Sequence, residues 1–211
     1  MSDFMKAMNF RHACKLFDEK KKIPVPVFDE ILEAGRLSPS SFGTEPWHFL
    51  VITSNEVKAA LRPACWNQPQ ITTCSHFVML LVRKPQDFEF GSAFLNETFT
   101  RRANTPDKLS AICGAFDNFI RSDLKPDVLN WAKMQTYIAG GNMMTAAAFL
   151  GVDTCAIEGF NFNALTDALA RAVPSVDLTR YEIAWNIAFG YRVNEQQPRY
   201  RFPREKVTTF I

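Results

Sequence analysis

The sequence predicts an α+β fold, an α/β-type sandwich with helices on both faces of a mixed central β-sheet, and three observations lead there. Four strand-like segments interleave with more helix than sheet. One of them, HFVMLLVR at 76–83, is almost wholly apolar, as a strand buried on both faces is. The longest helical pattern, 127–152, is apolar around most of its circumference, which marks a central helix.

Along the chain, Phe4, Met5 and Met8 stand near helical spacing behind Ser2, a good N-cap, so the chain opens with a short helix. RHACKLFD (11–18) reads as extended, with Arg11, Ala13 and Lys15 alternating against His12, Cys14 and Leu16. Residues 26–37 form a helix that starts at Pro26 and stops at Ser38-Pro39. The loop SPSSFGTEPWHF (38–49) follows, and locally it is a helix stop, a turn and the start of a strand.

HFLVIT (48–53) is the first strand, and Thr53 with Glu56 matches a capping box for the next helix. After strand 76–83 come helices near 88–102 and 107–121, broken at Asn104-Thr105-Pro106. Within the central helix, Gly140 and Gly141 each cost about 1 kcal/mol relative to Ala, which argues for another backbone packed close. DTCAIEGF (153–160) is a short strand, a helix capped by Asn163 follows, and YEIAWNIAFGY (181–191) is the last strand. There is no repeat or flexible linker, so residues 1–211 read as one domain.

The 211 residues are 47% hydrophobic and 22% charged, ordinary values that argue against disorder. A net charge of +2 leaves no global field to attract nucleic acid or an anionic membrane, so any basic site is local. Five cysteines without C-x-x-C spacing fit reduced thiols and a cytoplasmic location. The stretch 137–152 is too short for a bilayer span. The 19 Phe suit a large core or a flat aromatic ligand.

Neither G-x-G-x-x-G, nor a P-loop, nor a G-x-S-x-G elbow is present, which disfavours the nucleotide folds and hydrolases that use them. His12-x-Cys14 and Cys74-x-His76 offer four N/S atoms for zinc, but Cys and His within apolar strands are commonly plain core residues, so no metal is expected. RYRFPREK (199–206) is basic, either a solvated charge run or an anion site in which Arg199 and Arg201 point the same way. Arg11 and Lys15 lie on one face of an extended segment, roughly 13 Å apart. As a pair they are either surface charges or a phosphate fork and a point charge beside a ring that gains negative charge on reduction.

RHACK, SPSSFGTEPWHF, Asn67, AIEGF at 156–160 and PRYRFP at 198–203, in this order over nearly the whole chain, resemble the nitroreductase family of FMN-dependent NAD(P)H oxidoreductases. The likeness is strongest to its oxygen-insensitive nitroreductase and dihydropteridine reductase group. The resemblance implies a phosphate clamp of Arg11, Arg199 and Arg201, with His12 and Ala13 along the ribityl and phosphate region. Lys15 would lie beside the ring, and Asn67 would read its pyrimidine edge. Ile157, Glu158 and Gly159 would approach flavin N5 and O4. Pro39, Ser40 and Ser41 would come from the other subunit of a homodimer whose C-terminal tail extends over the partner.

Three positions depart from the family pattern: Ala13 stands for a frequent Ser, Gln70 for a second Lys near the flavin, and Gly43 for a frequent Asn. The implied reaction is ping-pong, with NADH or NADPH as donor and a nitroaromatic or quinone as acceptor, and the cofactor rather than a side chain carries the chemistry. Free flavin or a dihydropteridine is an alternative acceptor, and a non-catalytic flavin-binding module is an alternative class. Phe116 or Phe119 is either an aromatic lid over the substrate or part of the core.

Overall fold

The computed structural model describes residues 1–124 and 127–211. Its centre is a four-stranded sheet of order β1-β2-β4-β3, built from β1 (Trp47–Ile52), β2 (His76–Arg83), β3 (Asp153–Ile157) and β4 (Tyr181–Gly190). All three pairings of these strands are antiparallel; the parallel component of the expected mixed sheet is confined to an isolated bridge between Ala13 and Thr154.

The apolar run of β2 has the burial it implied. Phe77, Met79 and Leu81 point to one face, where α3 (Asn55–Leu61), α4 (Gln70–Thr73) and α8 (Phe162–Ala172) contribute Leu61, Ile71, Leu165 and Leu169. Val78 and Leu80 point to the other, against Ile31 of α2 (Val25–Arg36) and Met143 and Ala147 of α7 (Val128–Phe149). A third cluster, rich in Phe, gathers α5 (Ala93–Thr100), α6 (Pro106–Phe119) and the start of α7 around Val82. The Phe content expected of a large core is concentrated there. The first helix, α1 (Asp3–Phe10), packs on α7 and is capped by Ser2, whose Oγ accepts from the Met5 amide at 3.4 Å.

Two caps differ from expectation. The capping residue of α3 is Ser54, whose Oγ accepts from the Val57 amide at 3.3 Å, because β1 ends at Ile52 and Thr53 lies in the link between them. Helix α8 is capped by Asn161 rather than Asn163: its Oδ1 accepts from the Ala164 amide at 2.9 Å, while its own amide is anchored on the Ala64 carbonyl. The glycine pair of α7 also has another explanation than a neighbouring backbone. A Cβ on Gly140 would lie 2.2 Å from Trp185 Cζ2, so the glycine makes room for an indole, whereas Gly141 faces open space.

Cys74 is a core residue and His76 is half-buried at the start of β2. Cys74 is fully buried, its thiol pushed up to about 12 by burial, and the His76 ring stacks on Phe28 at 3.9 Å, with burial holding it near 4 and therefore neutral. No group of three or more His, Cys, Asp or Glu able to hold a metal occurs among the described residues.

Asn186 on β4 is fully buried on the face it shares with Met79 and Ile157, and both its amide atoms lack a partner among the described residues. Leaving such a group unpaired costs about 1–3 kcal/mol. Asn186→Leu, close in shape, is therefore expected to raise the thermal midpoint, at roughly 2–4 °C per kcal/mol for a chain of this size. A lowered midpoint in a melting experiment would show that the amide is paired after all, for instance through trapped water.

Candidate functional site

The end of α1, the extended segment after it and the C-terminal tail enclose a cavity of about 470 Å³, lined by His12, Ala13, Lys15, Arg192, Arg199 and Arg201 among others. That volume falls within the range of about 300–1,000 Å³ common to small-molecule sites. The enclosure follows from local sequence. Arg11 caps α1 in extended conformation, and the chain then runs beside β3, with Ala13 bridging Thr154 and the Cys14 amide on the Thr154 carbonyl at 2.9 Å.

The cavity's charges do not balance even with Glu195 in its lining, against Lys15, Arg192, Arg199 and Arg201. Arg192 is neutralised by Asp153, its Nη2 2.5 Å and its Nε 2.7 Å from Oδ1, while its plane lies 4.3 Å from the Phe10 ring centre. Arg199 donates to the carbonyls of Met8, Asn9 and Arg11 at the end of α1, and Arg201 to the carbonyl of Tyr200. Arg11 has no such outlet: its Nε is buried without a hydrogen-bond partner among the described residues. Burial first, and then Arg199 and Arg201, hold its proton affinity below that of an ordinary arginine. Three guanidinium groups near one another, one with a buried orphan donor, make a donor set that suits an anion. His12 borders the cavity with its Nδ1 3.6 Å from Asp153 Oδ1, and burial first and Arg192 next hold its pKa below the usual value.

A chain of polar contacts leads from this cavity to the end of β3. Lys15 Nζ lies 3.6 Å from Cys155 Sγ, and Gln70 Nε2 reaches the same sulfur at 3.8 Å and donates to Gln68 Oε1 at 2.7 Å. Gln68 Nε2 donates in turn to the Gly159 carbonyl at 2.7 Å. Trp66 and Asn67 adopt left-handed backbone with φ of 55° and 53°, unusual for a tryptophan, and Arg62 spans the turn by donating to the Asn67 carbonyl at 3.0 Å. The conformation lays the Trp66 ring over Gly159, where a Cβ would come within 2.7 Å of it. Ile157 is buried at the end of β3, and beside Gly159 the Glu158 carboxylate accepts from Tyr137 Oη at 2.6 Å.

Thus Arg11, His12, Ala13, Lys15, Arg199 and Arg201 come together at one end, and Asn67, Gln70, Ile157, Glu158 and Gly159 at the adjoining end. Pro39, Ser40, Ser41 and Gly43 do not line the cavity of their own chain. Their loop is fixed to α7 by the Ser41 amide on Gln135 Oε1 at 2.9 Å, and Gly43, at φ of 58°, lies under the Arg102 guanidinium. Of the two readings of Phe116, the structure favours the core: it is fully buried among Phe42, Phe99 and Trp131. Phe119 is partly buried over Phe42 and Trp131. Sequence reasoning missed Arg192, Gln68, Trp66 and Tyr137. Of these, only the neighbours of Asn67 carried a usable signal, an aromatic and an amide flanking a position already singled out.

Comparison with known proteins places this geometry among relatives. The sequence profile described as "Nitroreductase family" matches residues 8–191. A Staphylococcus haemolyticus protein named "Putative NAD(P)H nitroreductase SH0546" is 41% identical over 97% of this chain and 95% of its own. "Putative NAD(P)H nitroreductase YfkO" of Bacillus subtilis is 38% identical over 100% of this chain and 98% of its own. Among solved structures, "a putative nitroreductase in complex with FMN" from Exiguobacterium sibiricum superposes with a TM-score of 0.78 at 25% identity, covering 100% of this chain and 98% of that one.

Proposed function

The chain belongs to the nitroreductase family, and from that premise we propose that it is an FMN-dependent NAD(P)H oxidoreductase that reduces nitroaromatics or quinones by a ping-pong reaction within one domain. The observation that carries this reading is the cluster of Arg199 and Arg201, which line a cavity of cofactor size, with Arg11, whose buried Nε has no partner among the described residues, beside them. A phosphate ester offers what those groups suit: two parallel acceptors for a guanidinium fork and a negative charge. When bound, FMN supplies the exchange of a hydride between the nicotinamide donor and the acceptor.

The side chains have distinct parts in this reading. Arg11 and Arg201 hold the phosphate, and Arg199, spent on three carbonyls, fixes the end of α1 on which Arg11 sits. His12 and small Ala13 line the ribityl path. Lys15 supplies positive charge beside the ring, while Gln70, uncharged and buried, adds none, so less charge favours the reduced state than a second lysine would give. Asn67 reads the ring's polar edge, and the 157–159 segment, kept narrow by Gly159, approaches the reacting edge.

A homodimer completes the site. Met134, Tyr137, Ile138 and Phe149 leave an apolar stripe of α7 exposed, and Tyr200, Phe202, Val207, Phe210 and Ile211 leave the tail exposed. Both fit a partner copy, whose loop bearing Pro39, Ser40, Ser41 and Gly43 covers the neighbour's cavity. No helix of the described residues is long and apolar enough to cross a membrane, and a cytoplasmic setting suits the five free, buried cysteines.

Anaerobic titration of the purified protein with NADH and NADPH tests the reading. A flavin band that bleaches with at least one donor and returns on adding a nitroaromatic or quinone is the expected result. A protein that stays colourless after FMN reconstitution overturns it, and a yellow protein that neither donor bleaches is a binding module instead. Acceptance of electrons by free flavin or a dihydropteridine alone would move the substrate assignment and leave the cofactor in place.

A further inference from the structure

Glu158 stands at the exposed end of β3 with a carboxylate that has, among the described residues, one side-chain partner, the Tyr137 hydroxyl at 2.6 Å. Tyr137 reaches it across 21 residues, from the exposed stripe of α7. The tyrosine ring is itself fixed, stacked on the Trp185 indole with centroids 4.7 Å apart and planes 5° from parallel. Trp185 is in turn held by Nε1 on Thr136 Oγ1 at 3.0 Å and seated in the space that Gly140 leaves open. Three layers, from the glycine of a buried helix through two stacked rings, end in one hydroxyl aimed at one carboxylate. From the opposite side Gln68 holds the Gly159 carbonyl, so the Glu158-Gly159 pair is gripped on both flanks.

We propose that Tyr137 is a positioning residue: its hydroxyl fixes the Glu158 carboxylate and offsets its charge next to the reacting edge of the cofactor, with Trp185 and Gly140 as the rigid support. This rests on the FMN reading above. A carboxylate beside a ring that becomes more negative on reduction opposes that reduction, and a neutral donor on the carboxylate weakens the opposition while keeping the group in one place. The tyrosine remains a donor at every physiological pH, because burial first and Glu158 next raise its pKa above the ordinary phenol value.

The test is a double-mutant cycle of Tyr137→Phe and Glu158→Gln in the FMN-loaded protein, read by the rate of flavin reduction in a single turnover and by the flavin midpoint potential. Tyr137→Phe keeps the ring on Trp185 and is expected to keep the melting temperature. It should slow reduction about tenfold, the scale of one hydrogen bond to a charged group, and move the potential to a more negative value. In the Glu158→Gln background the same change should do nothing further, since its partner charge is gone. Tyr137→Leu, which removes the stack, separates packing from the hydrogen bond: it should lower the melting temperature as well. Wild-type rate and potential in Tyr137→Phe, or effects that add across the cycle, overturn the proposal. A colourless wild type would instead overturn the cofactor reading, so the two failures are distinguishable.

Discussion

Gly140→Ala is expected to destabilise the protein by about 1–3 kcal/mol. The added methyl carbon would lie 2.2 Å from Trp185 Cζ2 and 2.4 Å from Cη2, distances no real contact tolerates, and 3.2 Å from Ile187 Cδ1. The indole must move by an ångström or more, yet it is fully buried, stacked on Tyr137 and bonded to Thr136. Overpacking of this kind costs about 1–3 kcal/mol, and a broken buried hydrogen bond adds about 1 kcal/mol or more. The helix propensity gained by replacing glycine, about 1 kcal/mol, offsets part of this.

Gly141→Ala supplies the contrast, because nothing lies within 4 Å of its added carbon and only the propensity gain remains. Opposite signs for the two neighbours in denaturant unfolding are the expected outcome; two stabilised variants would mean that the indole has room to shift. If the Tyr137 inference holds, Gly140→Ala should also disturb flavin reduction from a position that contacts no ligand.

The contrast between these glycines shows where the sequence stops being informative. A glycine pair inside an apolar helix announces close packing, but whether a backbone or a ring fills the space depends on Trp185, 45 residues further on in a strand. Features written in local pattern were legible: the continuous apolar run of β2, the proline at the start of α2 and the serine ahead of α1. That Arg11, His12, Ala13, Lys15, Arg199 and Arg201 lie together was legible too, because motif likeness does not depend on knowing their contacts. What was hidden lies in pairings across the chain. Arg192 with Asp153, 39 residues apart, and Tyr137 with Glu158, 21 apart, are ordinary surface residue types until the fold joins them. Lys58 is fully buried, its ammonium donating to the Cys74 carbonyl at 2.8 Å across 16 residues, a pairing no local pattern announces. Phe116 was ambiguous because aromatic lids and aromatic cores have the same composition.

Arg11→Met is expected to weaken FMN binding by about 30- to 1,000-fold, which corresponds to roughly 2–4 kcal/mol at 1.4 kcal/mol per tenfold. The estimate takes one or two charge-assisted hydrogen bonds at about 1.5–3 kcal/mol each, reduced because Arg201 remains. Arg201→Ala should have a smaller effect, since its side chain is exposed and donates only to the neighbouring carbonyl of Tyr200. Arg199→Ala should act differently again, loosening the end of α1 along with the cofactor, because its donors hold that helix.

The unliganded protein gives the second half of the Arg11 prediction. Its guanidinium is partly buried, lacks a partner on Nε among the described residues and is repelled by two neighbours, all of which oppose its charge. Removing that charge should therefore leave the cofactor-free protein as stable as the parent or more so, while affinity for FMN falls. Isothermal titration with FMN and melting of the flavin-free protein measure the two effects separately. A variant that loses both stability and affinity would make Arg11 a structural residue. One that keeps its affinity would remove it from the phosphate site, and the orphan donor would then need another anion.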